Sequence, residues 1–382
     1  MTRLRGRWRL LTLALLLQAN IAMATASNCD LWPSWKTYRT HLLDSGRVVD
    51  AESERKITTS EGQSYGLFFA LVANDRERFE QILEWTENNL AQGDLTRHLP
   101  AWLWGHRDDD SWGVMDANPA ADADLWIAYT LTQAGRLWKE RRYRVLSQLL
   151  ARQILHEESV TIPGLGLSLL PAPSGFQIAP GAWRLNPSYV PIQLLRGLAA
   201  TEFDSAWSQM IEPAVGLIKG AAPAGFAADW VQYEAGKGFK SDAASQAVGS
   251  YNAIRVYLWA GMLDAAEPQR QGLLMQLQPM AQTVVQQTAP PEFVDTQSGR
   301  VKGTGPAGFS AALIPFLMAS GESHAAQQQT LRVTSHPATP TAYYNQSLSL
   351  FGVGWQDGFF KFNKDGALTP RWKQACARSF RH

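Results

Sequence analysis

Residues 59–72 read TSEGQSYGLFFALV and place one acidic residue, Glu61, directly before a long apolar run. Ser60 and Gln63 have the spacing of a capping box, so the sequence predicts a helix with Ser60 as its N-cap and Glu61 in its first turn. Acidic residues are common in first turns because the helix dipole stabilises them. Glu61 is also a candidate general acid, provided that burial or a second carboxylate raises its pKa.

Outward from this stretch, helical periodicity recurs along the chain and strand signals are few. No low-complexity linker divides the chain, so we expect one all-α domain of sequential helical hairpins, a toroid of inner and outer helices with loops at one end forming a cleft. The predicted helical segments are 31–44, 61–91, 122–140, 142–157, 188–200, 204–219, 245–262, 265–287, 306–319, 322–332 and 343–353.

The N-terminal residues have the pattern of a secretory signal peptide: four arginines in alternate positions, the run LLTLALLL, then small residues. Cleavage near Ala24 or Ala26 satisfies the small-residue rule, so we expect a signal peptide over 1–26 and a single domain over 27–382. No later apolar run approaches the length of a membrane helix. The sequence therefore predicts a protein exported to the periplasm, or secreted, with no membrane insertion after cleavage.

Two cysteines, Cys29 and Cys376, stand near opposite ends of the chain. In an oxidising compartment they either pair or remain separate thiols, because sequence alone does not supply the spacing that a disulfide needs. Seven histidines occur without HxxxH spacing and no CxxC is present, so no metal site is expected.

Charge and tryptophan content restrict the ligand class. The formal net charge is +1, which disfavours nucleic acid and other polyanions because these partners require a concentrated basic face. Fifteen tryptophans occur, many in polar surroundings such as PAWLWGHRDDDSWG and ADWVQYE. Any single tryptophan is explained well as a core residue, but the set favours a carbohydrate ligand, because sugars stack on such rings.

A second acidic cluster, DDDSWGVMDANPAADADLWIAYTL, occupies residues 108–131. It lacks the glycine and the final glutamate of an EF-hand loop, which disfavours calcium. Asp122 and Asp124 are two residues apart and point to different faces of a helix, so at most one of them faces the same cleft as Glu61. The other is expected to be a cap or a first-turn charge.

Four ordered motifs together resemble glycoside hydrolase family 8: SEGQSYG, ADADLWIA, LNPSYVP at 185–191 and SYNAIRVYLW at 250–259. The resemblance extends over nearly the whole chain after the signal peptide and is strongest to the periplasmic members that accompany bacterial cellulose synthase. It implies an (α/α)6 barrel whose open cleft binds a β-1,4-glucan and cuts it internally with inversion. It also implies that no cofactor is needed, and it makes the cellulose synthase or export complex a candidate partner.

The resemblance assigns Glu61 as the proton donor. Asp122 matches the first aspartate of the family signature, which implies that it holds the sugar at the cleavage point, stabilises developing positive charge and helps to keep Glu61 protonated. Asn252 stands where the family's SYDAxR pattern carries the aspartate that acts as general base. An amide cannot take that proton, although its oxygen could orient the water.

Three explanations of Asn252 remain open: a substitution introduced to trap substrate, a natural weakening with another carboxylate standing in, or a loss of catalysis. Asp242 and Glu234 lie near in sequence, but no motif supports either as a replacement base.

Trp102, Tyr189, Trp230 and Tyr251 are predicted to contact the sugar chain by stacking or through hydroxyl groups, and Arg255 is predicted to position the carboxylates or Asn252. The leading hypothesis is an endoglucanase that trims nascent cellulose during export. The main alternative is a non-catalytic glucan-binding or assembly protein that kept the cleft and lost the base. A polysaccharide lyase would need a basic cleft for uronic acids, which the near-neutral charge disfavours.

Overall fold

The computed structural model describes residues 32–201 and 204–373. The predicted signal peptide, Cys29 and Cys376 lie outside these ranges. Across the described part of the chain, no helix is both long enough and apolar enough to cross a bilayer.

Helices dominate the described residues, and they alternate between the inside and the outside of a ring. One 3₁₀ turn, Pro187–Tyr189, precedes the sixth helix. The α-helices are α1 (Pro33–Leu42), α2 (Ser60–Val72), α3 (Arg76–Leu90), α4 (Ala121–Leu137), α5 (Arg141–Glu157), α6 (Ile192–Ala199), α7 (Ala206–Gln209), α8 (Ile211–Gly220), α9 (Ala253–Gly261), α10 (Arg270–Gln287), α11 (Ala307–Ala319), α12 (Ser323–Ser335) and α13 (Tyr343–Gln356).

Six helices form a closed inner ring. α2 packs on α4, and the ring continues through α6, α9, α11 and α13, which returns to α2. Each inner helix also packs against an outer helix: α3, α5, α8, α10, α12 and, behind α13, α1. This arrangement is an (α/α)6 barrel, which confirms the predicted fold class.

The sequence of each helix explains its layer. The inner helix α11 reads AGFSAALIPFLMA and is buried over most of its surface, because it is surrounded by protein on nearly every side. The outer helix α5 instead buries one stripe that includes Tyr143, Leu146, Leu150 and Ile154 at spacings of three and four residues. An apolar stripe of this width packs on the inner ring and leaves the polar face to water.

Several predicted helix bounds are wrong. The helix in 188–200 begins only at Ile192, 204–219 is divided between α7 and α8, and the helix in 265–287 begins only at Arg270. The segment 61–91 is broken between α2 and α3, where Asn74 has a φ of 56° and the Asp75 carboxylate accepts the backbone N–H of Arg78 as a new N-cap. In 245–262 the helix begins only at Ala253.

The predicted capping box is also wrong. Thr59 is the N-cap of α2, because its hydroxyl oxygen accepts the backbone N–H of Gly62 at 3.0 Å. Gln63 turns away from the helix start, and its Oε1 accepts the backbone N–H of Val48 at 2.6 Å. Val48, a strand residue 15 positions earlier in the chain, therefore binds the side chain that the local pattern assigned to the cap.

Short antiparallel strands connect the helices and were scarcely signalled by the sequence, since most have only two to four residues. Two of the six small sheets position the site. In one, β3 (Thr58–Thr59) pairs with β4 (Ala101–His106), which pairs with β5 (Trp112–Pro119). In the other, β8 (Gln177–Ala179) pairs with β9 (Ala182–Leu185), β9 pairs with β10 (Val231–Glu234), and β10 pairs with β11 (Gly238–Ser241). The remaining strands are β1 (Leu43–Asp44), β2 (Arg47–Val48), β6 (Ser159–Ile162), β7 (Gly166–Leu169), β12 (Val248–Gly249), β13 (Phe293–Asp295), β14 (Val301–Lys302), β15 (Phe360–Phe362) and β16 (Leu368–Pro370).

Candidate active site

The N-termini of four inner helices carry the side chains of the site. Glu61 is the second residue of α2, Asp122 is the second residue of α4, Asn252 is the N-cap of α9, and Tyr343 is the first residue of α13. Helix N-termini favour negative charge because unpaired backbone N–H groups and the helix dipole point there. The barrel thus gathers acidic groups at one end.

One buried guanidinium joins three of these groups. Arg255 is 3% exposed; its Nη1 donates to Glu61 Oε2 and, at 3.0 Å, to Asp122 Oδ2, while its Nη2 donates to Asn252 Oδ1 at 2.7 Å. Tyr65 Oη also lies 3.0 Å from Nη1. Because the guanidinium is planar and its donors are fixed, it sets the relative positions of all three side chains.

Glu61 is partly accessible, with 21% of its side chain exposed. Its Oε1 accepts a hydrogen bond from the Tyr343 hydroxyl at 2.9 Å. Glu61 and Asn252 accept hydrogen bonds from different nitrogens of the same guanidinium, so Arg255 holds the two side chains at separate positions. Inverting glycosidases likewise place the acid and the base at separate positions, about 6.5–9.5 Å apart.

Asp122 is almost completely enclosed, with 4% of its side chain exposed. Burial raises the pKa of Asp122 to about 7; Arg255 opposes this rise and the negative charge of Glu61 adds to it. Besides Arg255, its one further donor among the described residues is the backbone N–H of Ala123, at 2.9 Å. Near neutral pH, Asp122 therefore holds a proton for part of the time.

Asn252 presents its nitrogen rather than its oxygen to further partners. Its Oδ1 already accepts hydrogen bonds from Arg255 and, at 3.2 Å, from Asn186 Nδ2. Its Nδ2 has no hydrogen-bond partner among the described residues. Asn252 Oδ1, which was expected to orient a water, is therefore already occupied. The two donors around it, Arg255 and Asn186, would suit a carboxylate oxygen at the same place.

The start of α9 is held by Asp229. Its Oδ1 accepts three backbone N–H groups, from Ser250 at 2.9 Å, Asn252 at 2.9 Å and Ala253 at 2.7 Å. Burial raises the pKa of Asp229, and the three backbone N–H groups partly offset that rise. Asp229 therefore lies beside position 252.

Neither carboxylate near 252 in sequence is available as a base. Asp242 is 1% exposed and its oxygens accept hydrogen bonds from Arg184, Gln232 and Ser245. Although burial acts to raise its pKa, these donors hold the pKa below its usual range. Glu234 lies on the β10–β11 hairpin, where it pairs with two lysines. Both residues are structural.

Tyr189 and Trp230 form an aromatic corner beside Arg255. Their ring centroids are 5.9 Å apart, and the Arg255 guanidinium lies 5.7 Å from the Tyr189 ring centroid. Arg184 covers one face of Trp230 at 3.9 Å, and Phe176 is stacked with the same ring at 5.7 Å between centroids. Trp230 is therefore more enclosed than an open platform for sugar stacking would be.

Tyr251 and Trp102 lie farther from the guanidinium contacts. Tyr251 is 42% exposed, and its hydroxyl donates to Glu292 at 3.0 Å. Trp102 is a half-buried residue of β4, next to Leu103, which pairs with Thr59 directly before α2. The structure thus brings Arg255 and Tyr189 to the carboxylates, with Trp230 against Tyr189, whereas no hydrogen bond or ring contact among the described residues joins Trp102 or Tyr251 to them.

Four residues of this site were not predicted individually. Asn186 lies within LNPSYVP, one of the four motifs that carried the family resemblance, so a signal for it was present. Tyr343 lies in the stretch AYYN at 342–345, which also resembles the family. Asp229 and Phe176 stand in loops without a motif that we recognised.

Asp124 faces away from the cleft and is not a cap. It is fully buried against Glu158, and no donor in the described part of the chain reaches any of their four carboxyl oxygens. Burial raises the pKa of both groups well above the usual range. Two carboxyl groups in such a place satisfy each other only by sharing a proton.

This pair should make the protein less stable as pH rises. The folded state binds more protons than the unfolded state above about pH 4, so the free energy of unfolding decreases with pH through the raised pKa values. In Glu158→Gln the amide donates to Asp124 in place of the shared proton, so Tm should fall less between pH 5 and pH 9. Glu84→Gln is the control for scanning calorimetry, because Glu84 is exposed on an outer helix and its charge does not act on this pair. Parallel Tm curves for Glu158→Gln and the unmodified chain would show that no proton is shared.

Removing the Tyr343 hydroxyl should lower kcat about 10- to 100-fold, because Glu61 becomes negatively charged as it gives up its proton and a hydrogen bond to a charged group contributes roughly 1.5–3 kcal/mol. Tyr343→Phe keeps the ring and deletes only the donor to Glu61. Tyr344→Phe is the matched control, since that hydroxyl donates to the backbone carbonyl of Tyr251 instead. Steady-state kinetics should show the larger loss for Tyr343→Phe; equal losses would contradict a specific role for this hydroxyl.

Comparison with known proteins places the chain in a family. A family model described as "Glycosyl hydrolases family 8" matches residues 5–358. The chain is 48% identical over 380 residues to an endoglucanase of Salmonella typhi, covering 99% of this chain and 100% of that protein. It is 46% identical over 349 residues to an endoglucanase of Escherichia coli strain K12, covering 91% and 93%.

Solved structures agree. An endo-1,4-D-glucanase from Vibrio fischeri ES114 is similar with a TM-score of 0.87 and 44% identity, over 90% of this chain and 100% of that one. An endo-beta-1,4-glucanase from Acetobacter xylinum is similar with a TM-score of 0.69 and 25% identity, over 84% and 97%. The chain therefore belongs to glycosyl hydrolase family 8 and is a glycoside hydrolase.

Proposed function

We propose that this protein is an endo-β-1,4-glucanase that hydrolyses cellulose internally with inversion and acts in bacterial cellulose biosynthesis. The observation that carries the proposal is the set of three groups around Arg255: a partly exposed carboxyl at Glu61, a buried one at Asp122, and position 252 on the far side. The names of the relatives and the neutral overall charge support a neutral glucan substrate.

Each group then has a distinct role. Glu61, protonated, gives its proton to the glycosidic oxygen as the bond from that oxygen to C1 breaks. A water on the opposite face of the sugar forms the new bond to C1 and gives up a proton to a base near position 252. Asp122 holds the sugar between them and stabilises the positive charge that develops at C1.

Endo-action can be tested by following viscosity and new reducing ends together on carboxymethylcellulose. An endoglucanase lowers viscosity steeply while few reducing ends appear, because each internal cut halves a long chain. We expect this behaviour, and much slower cleavage of xylan. A viscosity that falls only in proportion to reducing ends would contradict internal cleavage.

The alternative is a glucan-binding or assembly protein, and Asn252 is the observation that favours it. A binding protein would retain cello-oligosaccharides with measurable affinity and release no reducing ends in long incubations. Its Asn252→Asp variant would also bind cello-oligosaccharides without releasing reducing ends if further catalytic residues had been lost.

Location and partners follow from the same proposal. We expect the protein in the periplasm after removal of residues 1–26, where export of cellulose would bring nascent glucan to the cleft. Fractionation of the producing cell, with mass spectrometry of the mature N-terminus, tests this. Recovery of full-length protein from the cytoplasm would contradict it, and co-purification with the cellulose synthase complex would support direct docking.

A further inference from the structure

We propose that Asp229 acts as the base that accepts the proton of the attacking water in this chain, in place of the missing carboxylate at position 252. The proposal rests on the glucanase function proposed above. It assigns a catalytic role to a residue that the family pattern does not supply.

The Asn252 side chain can bind a water but cannot deprotonate it. Its Oδ1 is occupied by Arg255 and Asn186, so the amide offers Nδ2, which donates hydrogen bonds. An amide N–H can hold the oxygen of a water, but it cannot remove a proton from it. A water held there needs a separate acceptor for its own O–H.

Asp229 is a carboxylate beside Asn252 that can accept this proton. Asp229 Oδ1 is 2.9 Å from the backbone nitrogen of Asn252, so this carboxylate is a direct neighbour of the residue that would hold the water. Its other oxygen, Oδ2, has no hydrogen-bond partner within the described ranges. Oδ2 is also not one of the fully buried side-chain atoms that lack a partner there. Asp242 and Glu234 are engaged in ion pairs, as described above.

The surroundings of the Asp229 carboxylate suit a general base. Three backbone N–H groups fix Oδ1, so the carboxylate is held rigidly and Oδ2 keeps a constant direction. Burial raises the pKa of Asp229, which makes it a stronger base than a solvated aspartate. Arg255 is the nearby cation and opposes that rise.

Hydrolysis breaks one bond at C1, forms another and moves two protons. Water oxygen forms a bond to C1, the glycosidic oxygen leaves C1 with the proton of Glu61, and the water proton passes to Asp229 Oδ2. At the end of the turnover Glu61 is ionised and Asp229 is protonated, and exchange with solvent restores both.

The experiment compares reducing-end release by the unmodified chain, Asp229→Asn, Asn252→Asp and the double variant. An asparagine at 229 can still accept the backbone N–H groups through its oxygen, so it keeps the cap and removes the base. We expect Asp229→Asn to lose about 10-fold, less than the 10²- to 10⁴-fold that a fully positioned base contributes, because Asp229 supplies only part of that function. We expect the double variant to match Asn252→Asp, because a carboxylate at 252 makes Asp229 unnecessary.

Each other outcome is decisive. If Asp229→Asn lowers the rate by the same factor in both backgrounds, Asp229 only positions α9 and the proposal is wrong. If the unmodified chain is inactive while Asn252→Asp is active, no surrogate base exists, although the glucanase function stands. If neither is active, the proposed function itself fails. Melting curves for all four proteins report whether the cap survived.

Discussion

Asn252→Asp is expected to raise kcat on carboxymethylcellulose about 100-fold, the lower end of the 10²- to 10⁴-fold that a positioned general base contributes. The new carboxylate would accept the hydrogen bonds that Arg255 and Asn186 already donate to Asn252 Oδ1. It would also leave one oxygen for the water. The lower end applies because Asp229 supplies part of the missing function.

KM should change little, because position 252 meets the water rather than the glucan. Arg255 would then face three carboxyl groups instead of two, so the pKa of Asp122 should rise further above its present value of about 7. Asn252→Ser is the control, since it also removes the amide but supplies no base. Equal rates for the unmodified chain and Asn252→Asp would mean that 252 is not the base position.

Glu61→Gln is expected to abolish measurable hydrolysis, with a loss of at least about 10²- to 10⁴-fold, in the unmodified chain and in Asn252→Asp alike. A glutamine keeps an oxygen that can accept from Tyr343 but carries no proton that it can transfer. Its amide nitrogen would also meet the Arg255 donor that now contacts Oε2. The glycosidic oxygen would therefore leave without protonation.

Substrates with a good leaving group separate this role from a structural one. A 2,4-dinitrophenyl cellobioside needs little protonation at the leaving oxygen, so Glu61→Gln should retain much more activity on it than on carboxymethylcellulose. Equal losses on both substrates would show that the variant disrupts the site as a whole, and Glu61 would not be the acid.

Much of this site follows from local sequence. Glu61 and Asp122 each lie in the first turn of an inner helix, and first-turn positions can be read from the start of an apolar pattern. Arg255 lies one turn after Asn252, so their contact is a short-range consequence of α9. The inner helices are apolar around most of their surface, which predicts that they are enclosed by others.

The remainder depends on contacts between distant segments. Gln63 was assigned to a cap but reaches Val48, 15 residues away, because β2 lies against the start of α2. Asp229 comes from a loop 23 residues before Asn252 and meets it only when the barrel closes. The short hairpins carry too few residues for an alternating pattern to stand out.

The most direct test of the account is the anomeric configuration of the first product, followed by proton NMR during rapid hydrolysis of a cello-oligosaccharide by Asn252→Asp and by the unmodified chain. We expect the α-anomer to appear first with both proteins, because a water attacks C1 from the face opposite the leaving group in each. Early appearance of the β-anomer would indicate a covalent intermediate and would contradict the roles assigned to Glu61, Asp122 and position 252.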